Sequence, residues 1–469
     1  MLSTDSQNHK PKTTSLVKPG LCYIGRVEDR GYDKTFGILN EDRLRHIHVI
    51  GKTGMGKSTL LENMVLQDIY NGEGVGFIDP HGESVKYILD RIPPHRSSDV
   101  IYFNPTDLDF PLGFNILSDR DGEPKFLILA GVISVLKKIW KDMWSARMEY
   151  ILNNALLAVM DSPENTLLSV LRMFTDNHFM HRIVRRAKDP LVVNFWTKEY
   201  LKWPDSYRLE AVAAIQNKIG QFFNSEIIRY ILGQAESTFS LLEIMDNRKI
   251  LLVNLSKGEI GDDASRLLGS MLVTKLQLSA MSRGRQGDLS LKPNFYLYID
   301  EFQNFIVDSF ATILSEARKY KLSLTVAHQY MGQLEDNASH NVLKALLGNI
   351  GTHVIFNVGA IDAELLSQEL APFFQKSDLM YLNKGQAIVK MLVQGQHTTP
   401  FIASTLPPMF QASGGNQATI ISLSRQIYGR PRETVAKTIE LWLANRIPVP
   451  KLSLLTKLKL AELASSGAD

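Results

Sequence analysis

Eight consecutive residues, Gly51-Lys52-Thr53-Gly54-Met55-Gly56-Lys57-Ser58, have the composition and spacing of the Walker A phosphate-binding loop. The chemistry needs these types. Glycines let backbone N–H groups close around phosphate oxygens. A helix predicted to begin near Lys57 turns its positive dipole end toward the same anion. Lys57 adds a full charge for the β- and γ-phosphates, and Ser58 supplies an oxygen for Mg²⁺. Thr59 follows in the same segment. The loop lies between an apolar stretch, Ile47 to Ile50, and a helical pattern, Lys57 to Tyr70, as the mechanism demands.

A phosphate loop needs an acid on another strand to hold the metal. Tyr296-Leu297-Tyr298-Ile299-Asp300-Glu301 supplies one, with Asp300 at the C-terminal end of a buried strand, where open α/β sheets bind their ligands. Asp300 would hold Mg²⁺, and Glu301 would polarise the attacking water as general base. Two acids capping the next helix is the plainer reading, and Lys57 upstream weighs against it. Ala327-His328-Gln329 ends another strand, and Gln329 is the residue expected to sense the γ-phosphate or the water; a side chain satisfying loop backbone is the alternative. His328 is read as structural. Asp79, in Phe77-Ile78-Asp79-Pro80-His81-Gly82-Glu83, falls at the same sheet edge and has the residues of an Asx turn. Arg318, after Asp300 and Glu301, is the candidate for an arginine donated to a neighbouring subunit's site, and Arg147 is a second; an exposed arginine pairing with Glu316 or water is the plainer reading of Arg318. Arg182, Arg185, Arg186 and Lys188 are placed to track a phosphate backbone or to form a solvated face.

The elements that must position these side chains follow from apolar patterning. Residues 1–19 are polar and read as a flexible tail. Residues 20–120 form the first α/β block, containing the phosphate loop. In 121–246 the spacing turns helical, with Met148, Ile151, Leu152, Ala155, Leu156 and Val159 as one face, so this block is expected to be an all-helical insertion. Residues 247–410 resume the α/β pattern, with strands at Ile250–Leu255, Phe295–Asp300, Leu322–Ala327, Thr352–Val358 and Ala387–Val393, and helices at Asp308–Lys319 and Ile361–Leu370. Alternating strands and helices predict a mainly parallel sheet covered on both faces. Gly414-Gly415-Asn416 opens a linker, and 411–469 is helical and basic, with eight Lys or Arg against four Asp or Glu; a solvated face and a nucleic-acid contact are both compatible with that balance.

Composition sets the outer bounds. The 469 residues carry 44% hydrophobic and 22% charged side chains, which excludes a disordered or fibrous chain. A net charge of +3 is too small to announce a nucleic-acid binder, so any basic surface must be local. Cys22, the single cysteine, excludes an internal disulfide and a cysteine-rich zinc site and fits a reducing compartment. The longest apolar run, Phe126 to Leu136, is short of the ~20 residues a membrane span needs.

The phosphate loop preceded by His48-Val49-Ile50, combined with Asp79-Pro80-His81-Gly82-Glu83 and Asp300-Glu301-Phe302-Gln303, resembles the HerA/FtsK superfamily of ring-forming motors. More closely it resembles the TraD/TraG-like coupling proteins of conjugation and type IV secretion. The likeness extends over about residues 20–430 and includes Trp144–Tyr150, Ile250–Lys257, Tyr298–Asn304 and Ser315–Gln333. It implies a RecA-like nucleotide domain interrupted by an all-α domain, ATP and Mg²⁺ as cofactors, and a homohexamer with nucleotide between subunits and DNA in its pore. Family roles pass to Lys57 and Ser58, to Asp300 and Glu301, to Gln329 as sensor and to Arg318 as the trans arginine. Coupling proteins usually carry an N-terminal membrane anchor, which is not expected here. A cytoplasmic protein recruited to the inner face of the membrane by secretion-channel or relaxosome proteins follows. A DNA translocase is thus the leading expectation. A HerA-like repair translocase and a nucleotide-gated docking protein for exported proteins are the alternatives.

Overall fold

The computed structural model describes residues 18–29, 32–163, 166–307, 310–334, 340–412 and 416–444. The expected tail before residue 18, the linker glycines Gly414 and Gly415 and the chain beyond 444 lie outside the described residues.

The chain builds one large sheet. Its strands are β1 (Leu21–Asp29), β2 (Tyr32–Leu39), β3 (Ile47–Ile50), β4 (Gly74–Asp79), β5 (Val100–Phe103), β6 (Ile250–Asn254), β7 (Phe295–Ile299), β8 (Leu322–His328), β9 (Thr352–Ile355), β10 (Gln386–Lys390) and, after the two-residue strands β11 (Leu392–Val393) and β12 (Gln396–His397), β13 (Phe401–Thr405). The order across the sheet is β2-β1-β13-β10-β9-β3-β8-β7-β4-β6-β5. From β9 to β5 every neighbouring pair is parallel. Every residue of β3 to β9 is buried, as expected of strands covered on both faces. The mainly parallel sheet is therefore found, with an addition: β10, β13, β1 and β2 extend one edge as an antiparallel meander.

Two hydrophobic layers enclose the sheet. One face packs against the Lys57–Tyr70 and Glu83–Leu89 helices through Leu60, Leu61, Met64, Val85 and Ile88. The other face shares a continuous core with the helices between β5 and β6 and with the Asp262–Arg283 helix. Every described element from Lys125 to Asp246 is helical. Local sequence starts several of these helices: Ser145 accepts from Met148 N, Asp176 accepts from Phe179 N, and Thr166 forms a capping box with Ser169. The Lys125–Ile139 helix lies close on Asp262–Arg283 because Gly131 has no side chain; a Cβ there would sit 2.6 Å from Thr274 Cγ2.

Some expected boundaries move. The helix expected at Asp308–Lys319 is an α-helix over Phe310–Glu316 followed by a tighter 3₁₀ turn over Ala317–Tyr320. The strand expected to run to Val358 ends at Ile355, because the chain turns there so that the Asn357 carbonyl accepts from Lys52 N at 2.8 Å. The strand expected at Ala387–Val393 stops at Lys390, and Leu392–Val393 turns off the sheet into a small ribbon with Gln396–His397.

The Asn416–Tyr428 helix docks on edge strand β5, where Ser424 Oγ accepts from Tyr102 N at 2.9 Å. Several basic residues of this tail are engaged within the chain. Arg425 binds Asp107 through two nitrogens at 2.7 and 3.0 Å, and Arg430 and Arg432 pair with Glu236 and Glu226.

Candidate nucleotide site

The site forms where four adjacent parallel strands end. In sheet order β3 leads into the phosphate loop, β8 into Gln329, β7 into Asp300 and Glu301, and β4 ends on Asp79. All four groups therefore stand at one C-terminal edge of the sheet.

The loop's shape depends on its glycines. Gly56 has φ +115°, and at Gly51 a Cβ would stand 2.5 Å from Phe356 Cβ. The loop is pinned from both sides: Gly51 N donates to His328 O at 3.4 Å, Lys52 N to Asn357 O, and Gly385 N to Met55 O at 3.0 Å. The Lys57–Tyr70 helix has no acidic residue in its first turn, so its N-terminal N–H groups keep their full positive end for an anion. Lys57 is buried and its Nζ donates to the carbonyls of Gly51 at 2.6 Å and Lys52 at 3.2 Å. Burial pulls its pKa down, and the nearby Asp300 and Glu301 carboxylates oppose that shift.

Ser58 Oγ donates to Asp300 Oδ2 at 3.4 Å. Asp300 is buried, and its pKa is pushed up to about 6 by burial first and then by the Asp79 charge. An excess of buried negative charge beside a hydroxyl, with oxygen donors alone, suits a hard divalent cation such as Mg²⁺, which takes one or two protein oxygens and completes its shell with phosphate and water.

Glu301 has a left-handed backbone, φ +46° and ψ +46°. Its Oε1 accepts from Gln329 Nε2 at 2.7 Å and its Oε2 from Gln303 Nε2. Its carbonyl accepts from Asn304 Nδ2 at 2.8 Å, and Asn304 Oδ1 accepts from Lys257 Nζ at 2.8 Å. Of the expected set, Gly51 to Thr59, Lys57, Asp300, Glu301 and Gln329 thus gather at one edge.

Asp79 makes the turn expected of it: its carboxylate accepts from His81 N at 2.7 Å and Val85 N at 3.2 Å, tying β4 to the Glu83–Leu89 helix. Arg318 stands elsewhere. It is exposed at the N-terminal end of β8, near the buried His46, and so a strand length of about 23 Å from Gln329 within the same chain. Arg147 is exposed on the helical block, 3.7 Å from Glu210. Arg185 and Lys188 are exposed, while Arg186 reaches Ser162 Oγ and Arg182 lies over the Phe179 ring.

Three contributions escape sequence reading. Glu62, one turn after Ser58, accepts from Ser84 Oγ at 2.7 Å, and burial raises its pKa. Its i+4 spacing from Ser58 is the one signal available. Arg43 binds Asp68 through two bonds of 2.7 Å, donates to Tyr298 Oη at 2.6 Å and stacks on Tyr296, locking β7 under the Lys57–Tyr70 helix. A line of buried histidines crosses β8, β3 and β9. His328 Nδ1 faces the Tyr330 carbonyl at 3.1 Å, so in the neutral ring its Nε2 accepts from His48 Nε2 at 2.7 Å. His48 Nδ1 then accepts from His353 Nδ1 at 3.1 Å.

The solved structures similar to this chain share the fold. The bacterial conjugative coupling protein TrwBdeltaN70 aligns with a TM-score of 0.59 at 17% identity, over 84% of this chain and 92% of that one. The plasmid coupling protein TrwB in complex with ADP and Mg²⁺ aligns with a TM-score of 0.59 at 15% identity, over 85% and 98%. VirB4 of Thermoanaerobacter pseudethanolicus aligns with a TM-score of 0.53 at 15% identity, again over 85% and 98%. No curated protein is similar enough in sequence to match. The family described as the type IV secretion-system coupling protein DNA-binding domain matches residues 36–388, three quarters of the chain. With that match over a complete Walker A loop and its Asp300-Glu301 partner, the chain belongs to the type IV secretion-system coupling protein DNA-binding family.

Proposed function

We propose that this chain is an ATP-driven motor that moves DNA by hydrolysis at sites completed between copies of itself. The observation that carries the reading is the convergence on one sheet edge of Lys57, Ser58, Asp300, Glu301 and Gln329, with Ser58 Oγ 3.4 Å from Asp300 and Gln329 Nε2 2.7 Å from Glu301.

The geometry supports the following roles. The loop amides and the helix N-terminus receive the phosphates. Lys57 exchanges its bonds to the Gly51 and Lys52 carbonyls for phosphate oxygens. Ser58 and Asp300 would hold Mg²⁺, which would draw charge from the phosphates. Glu301 takes a proton from the attacking water, and Gln329, bonded to Glu301, reports whether the water and γ-phosphate are in place. Arg318 is too far from its own loop to serve it, and its exposure at the opposite edge suits a trans role in a homohexamer. DNA would pass through the pore of that ring. Among the described residues no helix is long and apolar enough to cross a membrane. Secretion-channel or relaxosome proteins at the inner face of the membrane are the proposed partners of the motor.

Steady-state ATP hydrolysis with and without DNA, at low and moderate salt, tests the reading, with Glu301→Gln as the blank. Stimulation by DNA that fades as salt rises is expected of a motor gripping the phosphate backbone. Hydrolysis indifferent to DNA would sink the DNA-motor reading and favour docking of a protein cargo.

A further inference from the structure

Glu301 is read above as the general base, and the inference here rests on that reading. A base is useful only if its carboxylate is held toward the water. Gln329, from the end of β8, secures Oε1 at 2.7 Å. The other oxygen is secured by a residue two positions along the chain, Gln303, through Nε2. The short turn Phe302–Asn304 makes this possible. The left-handed Glu301 backbone reverses the chain, so the Gln303 amide folds back onto the carboxylate it follows. Asn304 fixes that reversal by donating to the Glu301 carbonyl at 2.8 Å, and Lys257 fixes Asn304.

The other end of the Gln303 amide is revealing. Its Oε1 is buried and has no hydrogen-bond partner among the described residues. An unpaired buried carbonyl is unfavourable, and an apolar side chain of the same length would fill the space without that cost. What glutamine supplies here and methionine does not is the N–H donor on Glu301.

We infer that Gln303 is a positioning residue for hydrolysis: with Gln329 it clamps both oxygens of the Glu301 carboxylate and fixes the direction from which Glu301 accepts the proton of water. Gln303 touches neither water nor phosphate in this role and acts through Glu301 alone.

The test is Gln303→Met, which keeps length and removes the donor. The loss of one hydrogen bond to a charged group predicts a fall in kcat of about ten- to a hundredfold. KM for ATP and the thermal midpoint should stay at wild-type values. Single-turnover hydrolysis then supplies the decisive comparison. Adding Gln303→Met to Glu301→Gln should cost nothing further, because the residue through which Gln303 acts is already gone. An unchanged kcat in Gln303→Met overturns the inference. So does an additive loss in the double variant, or a fall in thermal midpoint that accompanies the fall in kcat. Gln303→Leu carries the same comparison if the methionine variant does not fold. If wild-type and Glu301→Gln chains hydrolyse ATP equally, the reading of Glu301 itself fails and the inference falls with it. If only Glu301→Gln is impaired, the base stands and Gln303 is dispensable.

Discussion

In the proposed reading Asp300 is the carboxyl that holds the metal, and its surroundings bear on that task. Burial and the Asp79 charge push its pKa up to about 6, so near that pH half of the nucleotide-free chain carries a proton where the cation must bind. The proton and Mg²⁺ compete, and below pH 6 the apparent Mg²⁺ affinity should fall about tenfold per pH unit. Titrating Mg²⁺-dependent nucleotide binding between pH 5 and 8 checks this, and Asp300→Asn should abolish the dependence. Glu301 is proposed to have a different task. Glu301→Gln keeps the shape and the neighbours but cannot take a proton, so hydrolysis should fall by about 10²- to 10⁴-fold while nucleotide binding persists. Equilibrium binding of a fluorescent ATP analogue beside the hydrolysis assay separates the two effects.

Elements are held in register by buried charge as well as by apolar packing. The Arg43 guanidinium is fully buried against Asp68, Tyr296 and Tyr298, between the phosphate-loop helix and β7, the strand that delivers Asp300. Removing one partner leaves an uncompensated buried charge. Asp68→Ala should therefore destabilise the fold by about 3–5 kcal/mol, read from the denaturant midpoint. A double change to well-packed apolar residues should cost far less, because the desolvation of both charges disappears with them. The same variants should lower hydrolysis only to the extent that β7 shifts, so stability and activity losses need not be parallel.

At the scale of the whole molecule, four buried histidines couple stability to pH. Burial lowers His46, His328 and His353 to about 4 and holds His48 well below the ordinary value. The unfolded chain takes up these protons near pH 6.5 and the folded chain does not, so stability is lost as pH falls from about 6.5 toward 4. Asp300, Glu62 and Glu73, raised by burial, act in the opposite sense, Asp300 from about pH 6 downward, but the histidines outnumber them. The thermal midpoint should thus decline below pH 6.5, and His353→Gln should flatten the decline. Assembly gives a second prediction at this scale. Arg318→Ala and Lys57→Ala should each be inactive alone, and mixing the two should restore part of the hydrolysis, since one variant keeps the loop and the other the arginine. No recovery on mixing would remove Arg318 as the trans residue.

Contiguity explains what could be read from sequence. Gly51 to Ser58 is one unbroken segment, and Asp300-Glu301 ends a run of apolar residues, so local chemistry and strand patterning announced both. The helical spacing of 121–246 and the buried strands of the parallel core were legible for the same reason. The partners of these groups were not. Gln329 was legible as a strand-end sensor, but its bond to Glu301 spans 28 positions; Arg43 meets Tyr298 across 255, and His48 meets His353 across 305. The addition of β10, β13, β1 and β2 to the sheet edge, and the docking of the Asn416–Tyr428 helix on β5, likewise depend on which surfaces the fold leaves open. Gln303 lies between these cases. Its neighbourhood to Glu301 is written in the chain, but only the left-handed backbone at Glu301 turns its amide onto the carboxylate. The sequence by itself determined which chemistry is present, because that chemistry is carried by residue type and short spacing. The tertiary structure decided which side chains hold it in place, because hydrogen bonds between distant segments exist only once the sheet has brought their ends together.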